Sequence, residues 1–350
     1  MFNDFVRKVK WKIMERLIAN LPDYNERISY YHLKTIHTAF FNYGACDEIM
    51  NHFALIEKSH WEWQHGHNHQ WLVYMAALLE KGDEAKAKSI LRTYYSVHGL
   101  KDIHRIMPVA KFASENRYTN DDIEKTAFIY DTFRSNIDND LFRKYLSGKS
   151  IAVVGNGPQE TGKGKGKDID RHDVVIRLNL FKTDGYEEDY GSKINIWAKG
   201  ARLLVEAPDE DKLNFVIYAH IYNRLILRDD QIDLMYKDCV SYPDKIVYRY
   251  HDVDWPEYFN ATTGCRVLNM LYKELGTLEN VDVYGMSFPY DADTDMGYYF
   301  NVEVDSAKAH RAHNMYVELA FTRDLYYRKG NGKPADDIRL DEIFSLDNNY

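Results

Sequence analysis

The 350-residue chain is poor in cysteine, holds no long apolar run and carries no excess of positive charge. Its three cysteines, Cys46, Cys239 and Cys265, are too few and too scattered for a disulfide framework or a thiolate zinc site. Such usage suits a reducing compartment, and the expected location is cytoplasmic. No apolar stretch approaches the roughly 20 residues of a membrane span. Met1 to Lys10 carries charges where a secretory leader needs apolar residues, so no leader is expected. The formal net charge of −9 removes the basic footprint of a general nucleic-acid binder, so no nucleic-acid partner is expected.

What is present changes character along the chain. Residues 1–145 read as an all-helical domain, irregular bundle or tetratricopeptide-like, with apolar positions recurring at three and four. Trp71 to Leu91 reads as two helices meeting at Gly82-Asp83, with small Ala77 and Ala87 facing each other; no second copy follows at a period near 34 residues. In the first segment Phe2, Phe5, Val6, Val9, Ile13 and Leu17 share one helical face among Arg7, Lys8, Lys10, Lys12 and Arg16. That basic amphipathic pattern fits a packed helix, or peripheral contact with the inner face of a membrane. His65, His67 and His69 lack a Cys or carboxylate companion motif and read as polar loop residues before they read as metal ligands. The 28 tyrosines read mostly as core with a polar tip, although rings and hydroxyls also suit sugars and bases.

From Ser147 short β-branched runs alternate with helical patterns. Strands are expected at 151–155, 173–178, 193–198, 214–219 and 281–285, and helices at 263–275 and 307–327. This alternation predicts an α/β domain over 146–330 with a mostly parallel, Rossmann-like sheet flanked by helices, and a tail over 331–350.

The stretch from Ile151 to Asn179 reads as a strand, a glycine-rich loop and a second strand, a layout in which backbone N–H groups can approach a phosphate. A dinucleotide fingerprint fails, because Glu160 stands where the third glycine belongs and Pro158 interrupts the turn. A P-loop fits from Gly157 to Lys163, but Gly164 stands where a hydroxyl must hold Mg²⁺. A P-loop-like kinase therefore remains an alternative, as does a non-catalytic nucleotide-binding scaffold whose helices bind a partner.

Four segments stand in order: Val153-Val-Gly-Asn-Gly157; Asp168 to Asn179; Thr262-Thr-Gly264 opening a helix that leads to Val281–Gly285; and His313 with Glu318 five residues on. They resemble the sialylmotifs of animal sialyltransferases, and the resemblance covers about residues 148–320. It implies a glycosyltransferase of GT-A-like variant fold that moves sialic acid, or a related acid sugar such as Kdo, from a CMP donor to a glycan or lipid-linked glycan hydroxyl. It implies inversion and no metal or other cofactor. By the same resemblance Gly155, Asn156, Gly157, Asn179, Thr262, Thr263 and Gly264 bind the donor, and His313 is the general base, with His310 its competitor.

The departures bear on this reading. Ile151 replaces the first cysteine of the family's disulfide and no partner is found, which suits a bacterial-type cytoplasmic enzyme. The histidine that assists phosphate departure is matched only by Tyr298, in Tyr298-Tyr-Phe-Asn301, so Tyr298 is the expected donor to the phosphate. Lys163, Lys165 and Lys167 are either the missing cation or solvated loop residues. Asp291-Ala-Asp-Thr-Asp295 reads as an acidic loop rather than a metal site.

Overall fold

The computed structural model describes residues 36–58 (38, 42 and 43 aside), 68–136, 140–200, 213–220, 222–248 and 261–286, with residues 299, 300, 318 and 322. They fall into two compact units. One holds the described residues up to Thr132 together with 222–237, and the other holds the rest.

The first unit is helical: α1 (Asp47–Lys58), α2 (Asn68–Lys81), α3 (Glu84–His98), α4 (Met107–Glu115) and most of α5 (Asp121–Ser135). The α2–α3 hairpin forms where expected. Gly82 takes a left-handed φ of 79°, which favours glycine, and the Asp83 side chain caps α3 by accepting the Lys86 N–H at 3.1 Å. Ala77 and Ala87 are fully buried, so the two helices approach closely. The Arg224 fork donates to both Glu80 carboxylate oxygens at 2.8 and 2.9 Å. Gly44 sits against that guanidinium, where a Cβ would collide with it. His69 pairs with Asp102 at 3.4 Å, while His65 and His67 lie outside the described residues.

The second unit is Rossmann-like α/β. It contains α6 (Leu141–Leu146), β1 (Ile151–Val154), α7 (Gly166–Arg171), β2 (Val174–Leu178), α8 (Glu187–Tyr190), β3 (Ile196–Lys199), β4 (Phe215–Tyr218), the end of α9 (Asp229–Ser241), β5 (Ile246–Val247), α10 (Thr263–Leu275) and β6 (Val281–Tyr284). Among the described residues six strands lie in the order β5-β4-β3-β2-β1-β6, and every neighbouring pair is parallel. Strands covered on both faces need apolar residues throughout, which is why they read as continuous Val/Ile runs. Besides Lys199 in β3 and Asp282 in β6, Arg177 in β2 departs from this pattern. It is fully buried, and its guanidinium donates to the carbonyls of Lys193 (3.0 Å) and Tyr190 (2.9 Å).

Strand order reverses at β1. The chain runs outward from β2 to β5, then returns to place β6 on the other side of β1. Val154 aligns with Arg177 on one side and Tyr284 on the other, so β1, β2 and β6 end nearly level. Open α/β sheets bind ligands in the crevice beyond the strand ends at such a reversal. β5 is two residues long and escapes a reading based on runs, and β3 begins three residues later than expected. Of the helix expected at 307–327, only Glu318 and Thr322 are described, both helical. The N-terminal basic segment, the Asp291–Asp295 loop and the tail lie outside the described residues. Among the described residues no helix is long and apolar enough to cross a membrane.

Candidate functional site

The ends of β1 and β6 approach more closely than side chains allow. A Cβ on Gly155 would run into the Gly285 carbonyl, and Gly285 has a left-handed φ of 56° with Gly155 O only 2.9 Å from its virtual Cβ. The Gly155 and Gly157 amides donate to Tyr284 O (2.8 Å) and Gly285 O (2.7 Å). Both expected donor-binding glycines therefore spend their N–H groups on β6; what they contribute is a narrow crevice rather than free donors. Asn156 sits between them, 8% exposed. Its Nδ2 donates to Leu178 O at 2.9 Å, and its buried Oδ1 meets no donor among the described residues.

Asn179 follows β2 with φ 53°, a left-handed value asparagine tolerates better than most residues. Its Oδ1 accepts the Gly200 N–H (3.0 Å) and the Thr263 hydroxyl (3.2 Å). The end of β2 is thereby tied to the end of β3 and to the start of α10. His220 lies on the same edge beyond β4, near Gly200. No feature of its sequence context marked it.

α10 begins as its sequence predicts. Thr262 is extended, caps the helix by accepting the Cys265 N–H, and Gly276 ends the helix in a left-handed turn. The Thr262 amide and hydroxyl donate to the two Glu318 carboxylate oxygens at 2.7 and 2.6 Å. Glu318 is fully buried, and burial pushes its pKa up to about 7 despite these bonds. Thr262 thus holds Glu318 against the start of α10, while Thr263 faces Asn179. Gly264 leaves room for Met286 and Leu178. The first amides of a helix lack intrahelical partners and carry its positive dipole end, so this edge suits an anion.

The glycine-rich loop behaves differently from the phosphate cradle its sequence suggests. Its Gly162 and Gly164 amides donate to the two oxygens of Asp189, at 2.7 and 2.8 Å. A carboxylate of the protein fills the place a phosphate would take in a P-loop. Glu160 is buried and accepts the Gly285 N–H at 3.1 Å. Lys163 and Lys165 are surface residues loosely paired with Glu160 and Asp168, at 3.9 and 3.8 Å. Asp189, which occupies these amides, is distant in sequence and carries no motif of its own.

His313, His310 and Tyr298 lie outside the described residues. Tyr299, next to Tyr298, donates its amide to Asn156 O at 2.9 Å and stacks on Tyr190 with ring centroids 3.8 Å apart. Among the described residues no group of His, Cys, Asp and Glu side chains could hold a metal ion.

A family model described as Glycosyltransferase family 29 (sialyltransferase) matches residues 115–201, which takes in β1 to β3 with Asn156 and Asn179. Over this stretch the chain is similar to the sialyltransferase family. It is 24% identical over 224 residues to an alpha-N-acetylgalactosaminide alpha-2,6-sialyltransferase of Mus musculus, covering 52% of this chain and 59% of that one. It is 47% identical over 165 residues to a CMP-N-acetylneuraminate-beta-galactosamide-alpha-2,3-sialyltransferase of Gallus gallus, covering 41% and 45%. The chain thus spans about half the length of these relatives. A crystal structure of a mammalian sialyltransferase overlays with a TM-score of 0.42 at 20% identity, covering 60% of this chain and 79% of that one. A second, in complex with Gal-beta-1-3GalNAc-ortho-nitrophenol, overlays at 0.39 and 18%, covering 65% and 86%.

Proposed function

We propose that residues 146–330 form a catalytic unit that transfers sialic acid from a CMP donor to a glycan hydroxyl. The observation that carries this reading is Asn156, whose buried Oδ1 lacks a donor among the described residues at the point where strand order reverses. A buried unpaired acceptor costs about 1–3 kcal/mol, which a ligand hydroxyl or amine would recover. Asn179 and Thr263 stand one strand away, joined to each other. The N-terminus of α10 would face the donor phosphate.

In this reading the sialyltransferase-family base is His313, which takes the proton from the acceptor hydroxyl. The oxygen attacks the anomeric carbon in line and inverts it, and CMP departs with a proton from Tyr298. No metal takes part. The protein's contribution is to orient the two sugars and to stabilise charge on the departing phosphate. Kdo is the alternative sugar, and a lipid-linked glycan the alternative acceptor. The cytoplasmic location, with the basic N-terminal segment against a membrane surface, belongs to the same proposal.

The test is incubation of the purified chain with CMP-sialic acid or CMP-Kdo and a panel of galactosides in EDTA, read by mass spectrometry. Transfer by the wild type and its loss in His313→Ala are expected. CMP binding without any turnover would favour the scaffold reading. Binding of Mg²⁺–ATP that is lost in Lys163→Ala would favour the P-loop reading.

A further inference from the structure

α7 and α8 clamp each other through two carboxylates. Asp170 on α7 accepts the amides of Ser192 and Lys193, just after α8, at 2.9–3.1 Å. Asp189 on α8 accepts the amides of Gly162 and Gly164, just before α7. Between the two helices there is room only for glycine, since a Cβ on Gly166 would run into the Glu187 carbonyl. Beside Asp189, the buried Tyr190 hydroxyl donates to Gly157 O at 2.8 Å and accepts the Glu160 N–H at 3.2 Å. The buried Arg177 holds the end of α8 by donating to Tyr190 O. One turn of helix therefore grips the glycine-rich loop at both ends, and the near end adjoins Asn156.

We propose that Asp189 is a positioning residue for the donor site: its carboxylate closes the loop 157–164 into the shape that keeps Asn156 aimed at the CMP half of the donor. This rests on the donor reading given above. The argument is one of geometry and charge. Gly162 and Gly164 have left-handed φ values of 75° and 64°, so the loop has little preference for this shape by itself. Two charge-assisted bonds to a single carboxylate supply that preference. Lys163 in the loop, Lys165 just after it and Lys167 in the first turn of α7 are trypsin sites that report on whether it stays closed.

The experiment uses the full chain with Asp189→Ala and Asp189→Asn. The first removes both acceptors; the second keeps one acceptor oxygen and the shape, so it also serves if the alanine variant folds poorly. CMP titration, donor KM and kcat, and the rate of tryptic cleavage in the loop are measured for each. Expected for Asp189→Ala are about tenfold weaker CMP binding, a matching rise in donor KM, little change in kcat, and faster loop cleavage, with Asp189→Asn in between. A structural role alone would lower the melting temperature and kcat without this split. Faster cleavage with unchanged CMP affinity overturns the proposal, and so does unchanged cleavage. Hydrogen exchange over 158–165 in the wild type at free-peptide rates overturns it too. Failure of the wild type itself to bind CMP removes the donor reading, and this role falls with it.

Discussion

Glu318→Gln separates the charge of Glu318 from its shape. The buried carboxyl has its pKa pushed up to about 7 from an ordinary 4.5. In the fold it therefore keeps a proton that the unfolded chain has already lost. Stability then falls as pH rises between these values, by about 1.4 kcal/mol per pH unit and by about 3 kcal/mol in all. Glutamine keeps an acceptor oxygen for the Thr262 amide and cannot ionise. The stability gap between variant and wild type should move by about 2–3 kcal/mol in favour of glutamine between pH 5 and pH 8. Urea denaturation at pH 5, 6, 7 and 8, with m-values compared, reads this directly. Parallel pH profiles for the two proteins would refute the assignment of a proton to buried Glu318.

Three further outcomes follow from the same geometry. Asn179→Gly keeps the left-handed turn but loses the bonds to Gly200 and Thr263, whereas Asn179→Ala also adds strain; the alanine variant should be less stable by about 1 kcal/mol in denaturant. Gly285→Ala places a Cβ against Gly155 O at an unfavourable φ, and should cost about 2–3 kcal/mol and lower the melting temperature. The bond from His172 to Asp282, at 2.9 Å, raises the histidine pKa. Its contribution to stability is full below pH 6.5 and lost as pH rises through the folded pKa; Asp282→Asn should therefore destabilise the protein at pH 6 and progressively less toward pH 9 in thermal melts.

Legibility followed the range of the interactions. β1, β2 and β4 were readable because buried parallel strands are short β-branched runs, and α10 because Thr262 and Gly276 punctuate it locally. β5 was missed because two residues make no pattern. Asn156 and Asn179 were readable because each stands just past the end of its strand. The partners that define their surroundings were not, since Glu318 reaches Thr262 across 56 residues and Asp189 reaches Gly162 across 27. A glycine spacing shows that backbone amides can converge on an anion. It does not show whose anion, and here Asp189 takes the place. Nothing local shows that Gly285 and Gly166 must lack a side chain, because the carbonyls that exclude one belong to other elements.

The most direct test of the central claim is calorimetric titration of the purified chain with CMP in EDTA, beside UMP and AMP, repeated with Asn156→Ala. The account predicts that CMP binds in preference to the other two, and that Asn156→Ala weakens it at least tenfold, about the worth of one hydrogen bond to a buried acceptor, beside a modest fall in melting temperature from the lost bond to Leu178 O. Equal binding of all three nucleotides, or CMP affinity unchanged in Asn156→Ala, would contradict it.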